Sequence, residues 1–140
     1  MSVQQYDEIG EAFEGFKSLP LAHYAEVPGF LAMVGDVRGK SVLDLASGTG
    51  FYSREFRRRG ATEVLGVDIA GEMVAAAREF EEREPLGVRY EVGDVAELRP
   101  LGRRLDVATA VQLLNYADAA LPRLTIDRPA RCRGCGRAVR

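Results

Sequence analysis

Short apolar runs alternate with longer amphipathic stretches over most of the chain. Residues 42–45 and 63–67 form nearly continuous apolar runs, which are typical of strands buried on both faces of a parallel sheet. Residues 51–59 and 71–83 carry apolar side chains at three- and four-residue spacing, which predicts helices. Residues 88–92 alternate apolar and polar side chains, which predicts a third strand.

Further elements are predicted on either side of this alternation. Residues 4–17 and 28–34 have helical patterns, and residues 105–110 form a weaker fourth strand. Helices between consecutive strands imply right-handed crossovers and parallel pairing. The predicted fold class is therefore α/β, with a parallel sheet, flanking helices and four evident strands.

Composition narrows the class of protein. A chain of 140 residues with 46% hydrophobic and 29% charged residues is typical of one folded domain. No apolar stretch approaches the roughly 20 residues of a membrane helix, and the first residues lack the pattern of a signal peptide. We therefore expect a cytoplasmic protein. The net charge of −2 favours neither nucleic acid nor an anionic membrane as a partner.

The end of the chain has a different character. Residues 121–140 contain six arginines and one aspartate, whereas the preceding residues are net acidic. We therefore divide the chain into a domain at residues 1–118 and a basic, irregular tail at residues 119–140. Our hypothesis is that the native reading frame is lost near residues 117–121, which would leave the domain incomplete. A basic arm that binds RNA or another anion is the alternative.

Glycine and acidic residues gather just beyond the predicted strands. Gly48 and Gly50 follow the first strand, Asp68 ends the second, and Asp94 follows the third. Ligands of open α/β sheets bind at these carboxyl ends, and a carboxylate about 20 residues after the glycine turn can hold ribose hydroxyls. Taken alone, however, a Gly-x-Gly turn is equally compatible with a tight connection that binds nothing.

Two features of the sequence disfavour a dinucleotide as the bound ligand. The third glycine of a Gly-x-Gly-x-x-Gly motif is replaced by Ser53. Asp44, close to the turn, would repel a pyrophosphate. The Asp44 carboxylate would instead favour a cationic ligand, through its charge or by bracing the loop.

Four segments resemble class I S-adenosylmethionine-dependent methyltransferases. Residues 41–50 (SVLDLASGTG) resemble motif I, in which an acidic residue precedes a glycine-rich loop. Residues 64–78 resemble the second motif and residues 88–98 the third. Residues 105–116 (LDVATAVQLLNY) resemble the fourth strand and the loop after it. The resemblance covers residues 40–116 and implies a Rossmann-like methyltransferase fold with S-adenosyl-L-methionine as cofactor.

The resemblance assigns the first two motifs to the methionine and ribose parts of the cofactor. Asp44 is the acidic residue of motif I. Asp68 would hold the ribose hydroxyls, and Ile69 and Met73 would pack against the adenine. The loop along the methionine part would comprise Ala46, Ser47, Gly48, Thr49 and Gly50.

The third and fourth motifs would complete the site. Asp94 would accept a hydrogen bond from the adenine amino group, and the Val95 amide would meet a ring nitrogen. Ala110 would border the methyl-donor side, together with residues 111–112. Two alternatives remain: Asp94 could simply cap a helix that begins near Val95, and Met73 could be a core residue first.

The sequence departs from the family at two points. Ala46 stands where the family has its first glycine, and four strands are evident where the family has seven. A truncated sheet would expose the edge of its fourth strand, which favours self-association and marginal stability.

Other chemical groups suggest less specific roles. Tyr6, His23 and Tyr24 are candidates to cover the pocket and contact substrate, since related proteins use the N-terminal segment in this way. Cys132 and Cys135 form a single C-x-x-C pair, whereas a structural zinc site usually has four ligands, so we expect no metal. No general base is identified, and the catalytic residues stay unknown.

The function expected from the resemblance is methyl transfer from S-adenosylmethionine to a small-molecule acceptor. Two other functions stay open. The chain could be a non-catalytic remnant or interaction protein that keeps the cofactor-binding half of the fold. A dehydrogenase that uses NAD is the other alternative, and Ser53 disfavours it.

Overall fold

The computed structural model describes residues 26–98 and 104–111. It contains three α-helices, four strands and one 3-10 helix within those ranges. In chain order these are α1 (Val27–Val34), β1 (Ser41–Leu45), α2 (Phe51–Arg58), β2 (Glu63–Asp68), α3 (Gly71–Arg83), β3 (Val88–Val92), the 3-10 helix Val95–Glu97 and β4 (Val107–Thr109). The elements follow the predicted order, and the helix predicted over residues 4–17 lies outside the described residues.

The four strands form one parallel sheet in the order β3-β2-β1-β4. The chain moves outward from β1 to β3 and then returns to the other side of β1 to form β4. This reversal creates a topological switch point between β1 and β4, where loops diverge and leave a crevice. The α/β class and the parallel pairing predicted from the sequence are therefore confirmed.

Both faces of the central strands are buried, as their apolar runs predicted. Val42 and Val64 belong to a large cluster that also contains Phe56 and Val74 from the helices. Alternate strand residues point to the opposite face of the sheet. There they form a smaller cluster of Leu43, Leu45, Leu65 and Val67.

Glycine and proline set the ends of the helices. Pro28 lies in the first turn of α1, and Gly35 ends that helix with φ 79°. Gly60, with φ 91°, follows α2, and α3 ends shortly before Pro85. None of the helices in the described ranges is long and apolar enough to cross a membrane.

The fourth strand is shorter than the predicted span of residues 105–110. The Asp106 carboxylate accepts hydrogen bonds from both the backbone N–H and the hydroxyl of Ser41, each at 2.8 Å. The Asp106 N–H also donates to the carbonyl of Ser41 at 3.1 Å, so the contact with β1 begins one residue before Val107. Beyond Thr109 the register with β1 ends, and Ala110 is exposed.

Candidate functional site

The loop of residues 46–50 connects β1 to α2 at the carboxyl end of the sheet. Ala46, Gly48 and Gly50 adopt φ values of 54°, 55° and 81°, in the left-handed region. The Ser47 N–H donates to the carbonyl of Val67 at 3.1 Å, and the Gly50 N–H donates to the carbonyl of Ser47 at 2.9 Å. The loop is therefore tightly turned and attached to the end of β2.

The conformation of Ala46 accounts for the glycine that the family has there. Left-handed backbone costs a residue with a Cβ about 1–2 kcal/mol, whereas glycine adopts it freely. The chain accommodates the alanine under a strain that the sequence did not reveal.

Tyr90 of β3 fills the space beneath the loop, and sequence reasoning missed it as a site residue. A Cβ built on Gly50 would lie 2.3 Å from the Tyr90 hydroxyl oxygen. A Cβ on Gly66 would lie 2.7 Å from Cδ1 of the same ring. Tyr90 is 5% exposed, and burial raises the pKa of its hydroxyl. The sequence carried no signal of this contact beyond the alternating pattern of β3.

Asp44 lies in the interior at the end of β1. Its Oδ2 accepts a hydrogen bond from the Ser53 hydroxyl at 2.6 Å, and its Oδ1 accepts one from the Thr109 hydroxyl at 2.8 Å. Burial raises the pKa of Asp44 to about 6 despite these hydrogen bonds, and the nearby charge of Asp68 acts in the same direction. Asp44 forms no ion pair with any residue that the structure describes.

Asp68 connects the glycine-rich loop to α3. Its Oδ2 accepts a hydrogen bond from the Gly48 N–H at 2.7 Å, and its Oδ1 accepts one from the Ala70 N–H at 2.9 Å. The residue is 9% exposed. A carboxylate offers about four acceptor positions, so the two backbone donors leave room for further hydrogen bonds.

The predicted adenine-side residues differ in accessibility. Ile69 is 46% exposed, directly after Asp68, and Asp94 is exposed after β3. Met73 is only 2% exposed, which agrees with its interpretation as a core residue. Val95 is half-buried and begins the 3-10 helix, so a short helix follows Asp94.

A buried arginine also supports the loop, and no sequence pattern predicted this role. Nη1 of Arg54 donates to the carbonyl of Thr49 at 2.7 Å, and the guanidinium lies 4.6 Å from the centroid of the Phe80 ring. Thr49 itself is also buried. Arginines on a helix are usually solvated, which is why the helical pattern alone did not single out Arg54.

Other predicted groups are not brought to this edge by the described residues. Tyr6, His23, Tyr24 and both cysteines lie outside the described ranges. Within those ranges no group of three or more His, Cys, Asp or Glu side chains is arranged to hold a metal ion. A shallow cleft bordered by Leu31, Val37 and Arg59 lies at the opposite, amino-terminal edge of the strands and does not include the predicted site.

Comparison with known proteins identifies relatives of this arrangement. A ubiquinone biosynthesis O-methyltransferase of Coxiella burnetii is 31% identical over 80 residues, which are 57% of this chain and 34% of that protein. A malonyl-[acyl-carrier protein] O-methyltransferase of Hamiltonella defensa is 28% identical over 88 residues, which are 63% of this chain and 32% of that protein. The chain thus spans about a third of the length of these curated relatives.

Solved structures share the fold, and the sequence matches a family over most of its length. An S-adenosylmethionine-dependent methyltransferase from Mesorhizobium loti is 33% identical with a TM-score of 0.57, covering 64% of this chain and 40% of that one. A TehB-like methyltransferase from Corynebacterium glutamicum has a TM-score of 0.64 at 18% identity, covering 85% and 61% of the two chains, and supports the fold alone. Residues 42–132 match the family described as methyltransferase domain. The chain belongs to this methyltransferase domain family.

Proposed function

We propose that this chain forms the S-adenosylmethionine-binding part of an enzyme that methylates a small-molecule acceptor. The observation that carries the proposal is the direct hydrogen bond between the loop and the acidic end of β2, from the Gly48 N–H to Oδ2 of Asp68 at 2.7 Å. This hydrogen bond connects two parts of the site. One is a glycine backbone that a ligand can approach closely, and the other is a carboxylate that can accept hydrogen bonds from ribose hydroxyls.

The residues at the carboxyl edge fit the chemistry of this cofactor. Asp68 has unused acceptor positions for hydroxyl donors, and exposed Ile69 offers apolar surface for an adenine ring. Asp94 carries an exposed carboxylate suited to the adenine amino group, beside the backbone of Val95. The negative charge of Asp44 near the loop favours a cationic ligand over a pyrophosphate.

The reaction would need little covalent chemistry from the protein. When bound, S-adenosylmethionine supplies a methyl group that its sulfonium makes electrophilic. The chain would hold the donor along residues 46–50, exclude water, and align an acceptor near Ala110 and Val111. Oxygen is the favoured acceptor atom, because both named relatives are O-methyltransferases. We assign no general base.

The dinucleotide alternative is disfavoured by the position of Ser53. This residue occupies the place of the third glycine and is fully buried, and its hydroxyl donates a hydrogen bond to the Asp44 carboxylate. A pyrophosphate at the start of α2 would therefore lie close to a buried carboxylate. A remnant that keeps the fold without binding cofactor is the second alternative, and a binding measurement separates all three.

The test is calorimetric titration of the 140-residue chain with S-adenosylhomocysteine and, separately, with NAD. We expect S-adenosylhomocysteine to bind and NAD not to bind. Asp68→Asn should weaken S-adenosylhomocysteine binding about tenfold or more, because the amide keeps one acceptor oxygen and loses the charge.

Asp106→Asn is the matched control. Asp106 also accepts a backbone N–H, from Ser41, but at the opposite edge of the sheet. We expect this variant to bind S-adenosylhomocysteine as the parent chain does. Binding of NAD would support a dehydrogenase, binding of neither ligand would support a remnant, and equal losses in both variants would remove the role of Asp68.

A further inference from the structure

The Asp44 carboxylate connects three elements at the switch point of the sheet. Ser53 lies in the first turn of α2, Asp44 near the end of β1, and Thr109 at the end of β4. All three are at most 6% exposed, so water does not compete for their hydrogen bonds. Each carboxylate oxygen binds one hydroxyl, one from α2 and the other from β4.

The end of β4 depends strongly on this contact. Strand β4 pairs with β1 over only three residues, and Thr109 is the last of them. Its hydroxyl lies 2.8 Å from Oδ1 of Asp44 but 3.5 Å from the carbonyl of Leu43, at the limit of a hydrogen bond. Ala110 and Val111 follow immediately, so Asp44 fixes the point from which this segment leaves the sheet.

At the Ser53 end, the hydrogen bonds of Asp44 reach the first turn of α2, which is attached to the glycine-rich loop. The Arg54 N–H, next to Ser53, donates to the carbonyl of Gly50 at 2.9 Å, and the Arg54 side chain holds the carbonyl of Thr49. A change in the loop therefore shifts the first turn of α2 and with it the Ser53 hydroxyl. The same loop is attached to Asp68 through Gly48.

We infer that the hydrogen-bonded series Ser53–Asp44–Thr109 transmits the ordering of the loop to the end of β4, which makes Thr109 a positioning residue for the acceptor side. The inference rests on the proposed function, since the ligand that orders the loop is the cofactor. It implies a sequence of events in which cofactor binding at residues 46–50 also fixes residues 110–111. Thr109 need not touch the cofactor to have this effect.

Hydrogen exchange of the full 140-residue chain tests the inference, with S-adenosylhomocysteine as the probe. Amide exchange is followed in residues 46–50 and 104–111, with residues 31–34 of α1, which border the cleft at the opposite edge of the sheet, as an internal reference. The variants are Thr109→Val, which removes the hydroxyl at similar shape, and Thr109→Ser, which keeps it. Ser53→Ala interrupts the series from the loop side and provides a second route if Thr109→Val does not fold.

In the parent chain we expect S-adenosylhomocysteine to slow exchange in both segments. In Thr109→Val, exchange in residues 104–111 should be about tenfold faster without ligand, because a charge-assisted hydrogen bond is lost. Ligand should then slow only residues 46–50. Ser53→Ala should also confine the effect of ligand to the loop, and Thr109→Ser should restore the parent behaviour.

Two results would overturn the inference. One is protection of residues 104–111 by ligand in Thr109→Val and Ser53→Ala to the same extent as in the parent chain. The other is unchanged exchange of that segment in ligand-free Thr109→Val. If the parent chain shows no response to S-adenosylhomocysteine at all, the proposed function fails, and the ligand-free comparison still decides whether Thr109 holds the end of β4.

Discussion

At the scale of single residues, two aspartates at the ends of adjacent strands differ in their partners. Asp68 binds two backbone N–H groups, is 9% exposed and keeps acceptor positions for further hydrogen bonds. Asp44 binds two side-chain hydroxyls and is 2% exposed. The first arrangement favours ligand binding, and the second braces the fold at the cost of burying a charge.

Burial of Asp44 makes stability depend on pH. The pKa of Asp44 is about 6 in the folded chain and near 3.8 when exposed, so the folded state binds more protons between these values. The free energy of unfolding should therefore fall as pH rises from 4 to 6, by up to about 3 kcal/mol, and level off above that range. Urea unfolding at several pH values measures this, and Asp44→Asn should lack the Asp44 contribution.

Asp36→Asn is the control for this experiment. The Asp36 carboxylate is exposed and bonded to Arg38, which lowers the pKa of Asp36 to about 2. Its contribution to stability is present above the unfolded pKa and is lost only as pH falls from about 4 towards 2. The variant should retain the decline between pH 4 and 6. If Asp44→Asn and the parent chain decline in parallel there, Asp44 is not the responsible group.

The strained backbone of Ala46 predicts a stabilising substitution. Ala46→Gly removes a left-handed strain of about 1–2 kcal/mol and adds a smaller entropy cost in the unfolded chain, for a net gain of about 0.5–1 kcal/mol. The midpoint of urea unfolding measures the gain. Ala75→Gly, at an exposed site inside α3, should instead lose about 1 kcal/mol. If Ala46→Gly destabilised the chain as Ala75→Gly does, the backbone of Ala46 would not be strained.

At the scale of elements, the sequence predicted the ends of helices well where a glycine or proline at the end determines them. Gly35, Gly60 and Pro85 marked helix ends because each acts on its own backbone. The span of β4 was misjudged because its contacts are with β1, such as that of Asp106 with Ser41, which is 65 residues away. The supports of the loop, Tyr90 and Arg54, were missed for the same reason, since their contacts exist only after the strands have paired.

The connection between β1 and α2 should tolerate no side chain at Gly50. Its φ of 81° and the close approach of Tyr90 act together, so Gly50→Ala should lower the free energy of unfolding by about 2–4 kcal/mol. Thermal or urea unfolding gives the value. Gly71→Ala is the matched control, because no atom lies within 4 Å of the added Cβ and its φ is not in the left-handed region. A neutral Gly50→Ala would show that the loop and Tyr90 move apart easily.

At the scale of the whole molecule, the order of motifs was sufficient to predict the fold class and the family. Parallel topology follows from alternating elements, and residues 42–132 match the methyltransferase domain family. The methyl acceptor could not be predicted, because the contacts that select it are not contained in these motifs. The chain spans about a third of the length of these curated relatives.

The helix-covered face of the sheet should carry most of the stability. Phe56 is fully buried in its larger cluster, and Phe56→Ala should lower the free energy of unfolding by about 3–5 kcal/mol, a large part of the total for a small domain. Met33, 78% exposed on α1, provides the control, and Met33→Ala should change stability by less than about 0.5 kcal/mol. Chemical denaturation compares the two, and similar losses would contradict this division of the core.

The ring of Tyr90 lies against both Gly50 and Gly66, which stand on different elements. A larger side chain at either glycine becomes acceptable only after the ring is reduced, and reducing the ring first opens a cavity beneath the loop. Positions 50, 66 and 90 are therefore expected to change together during evolution. A library that randomises the three jointly should recover folded variants that no series of single substitutions would reach.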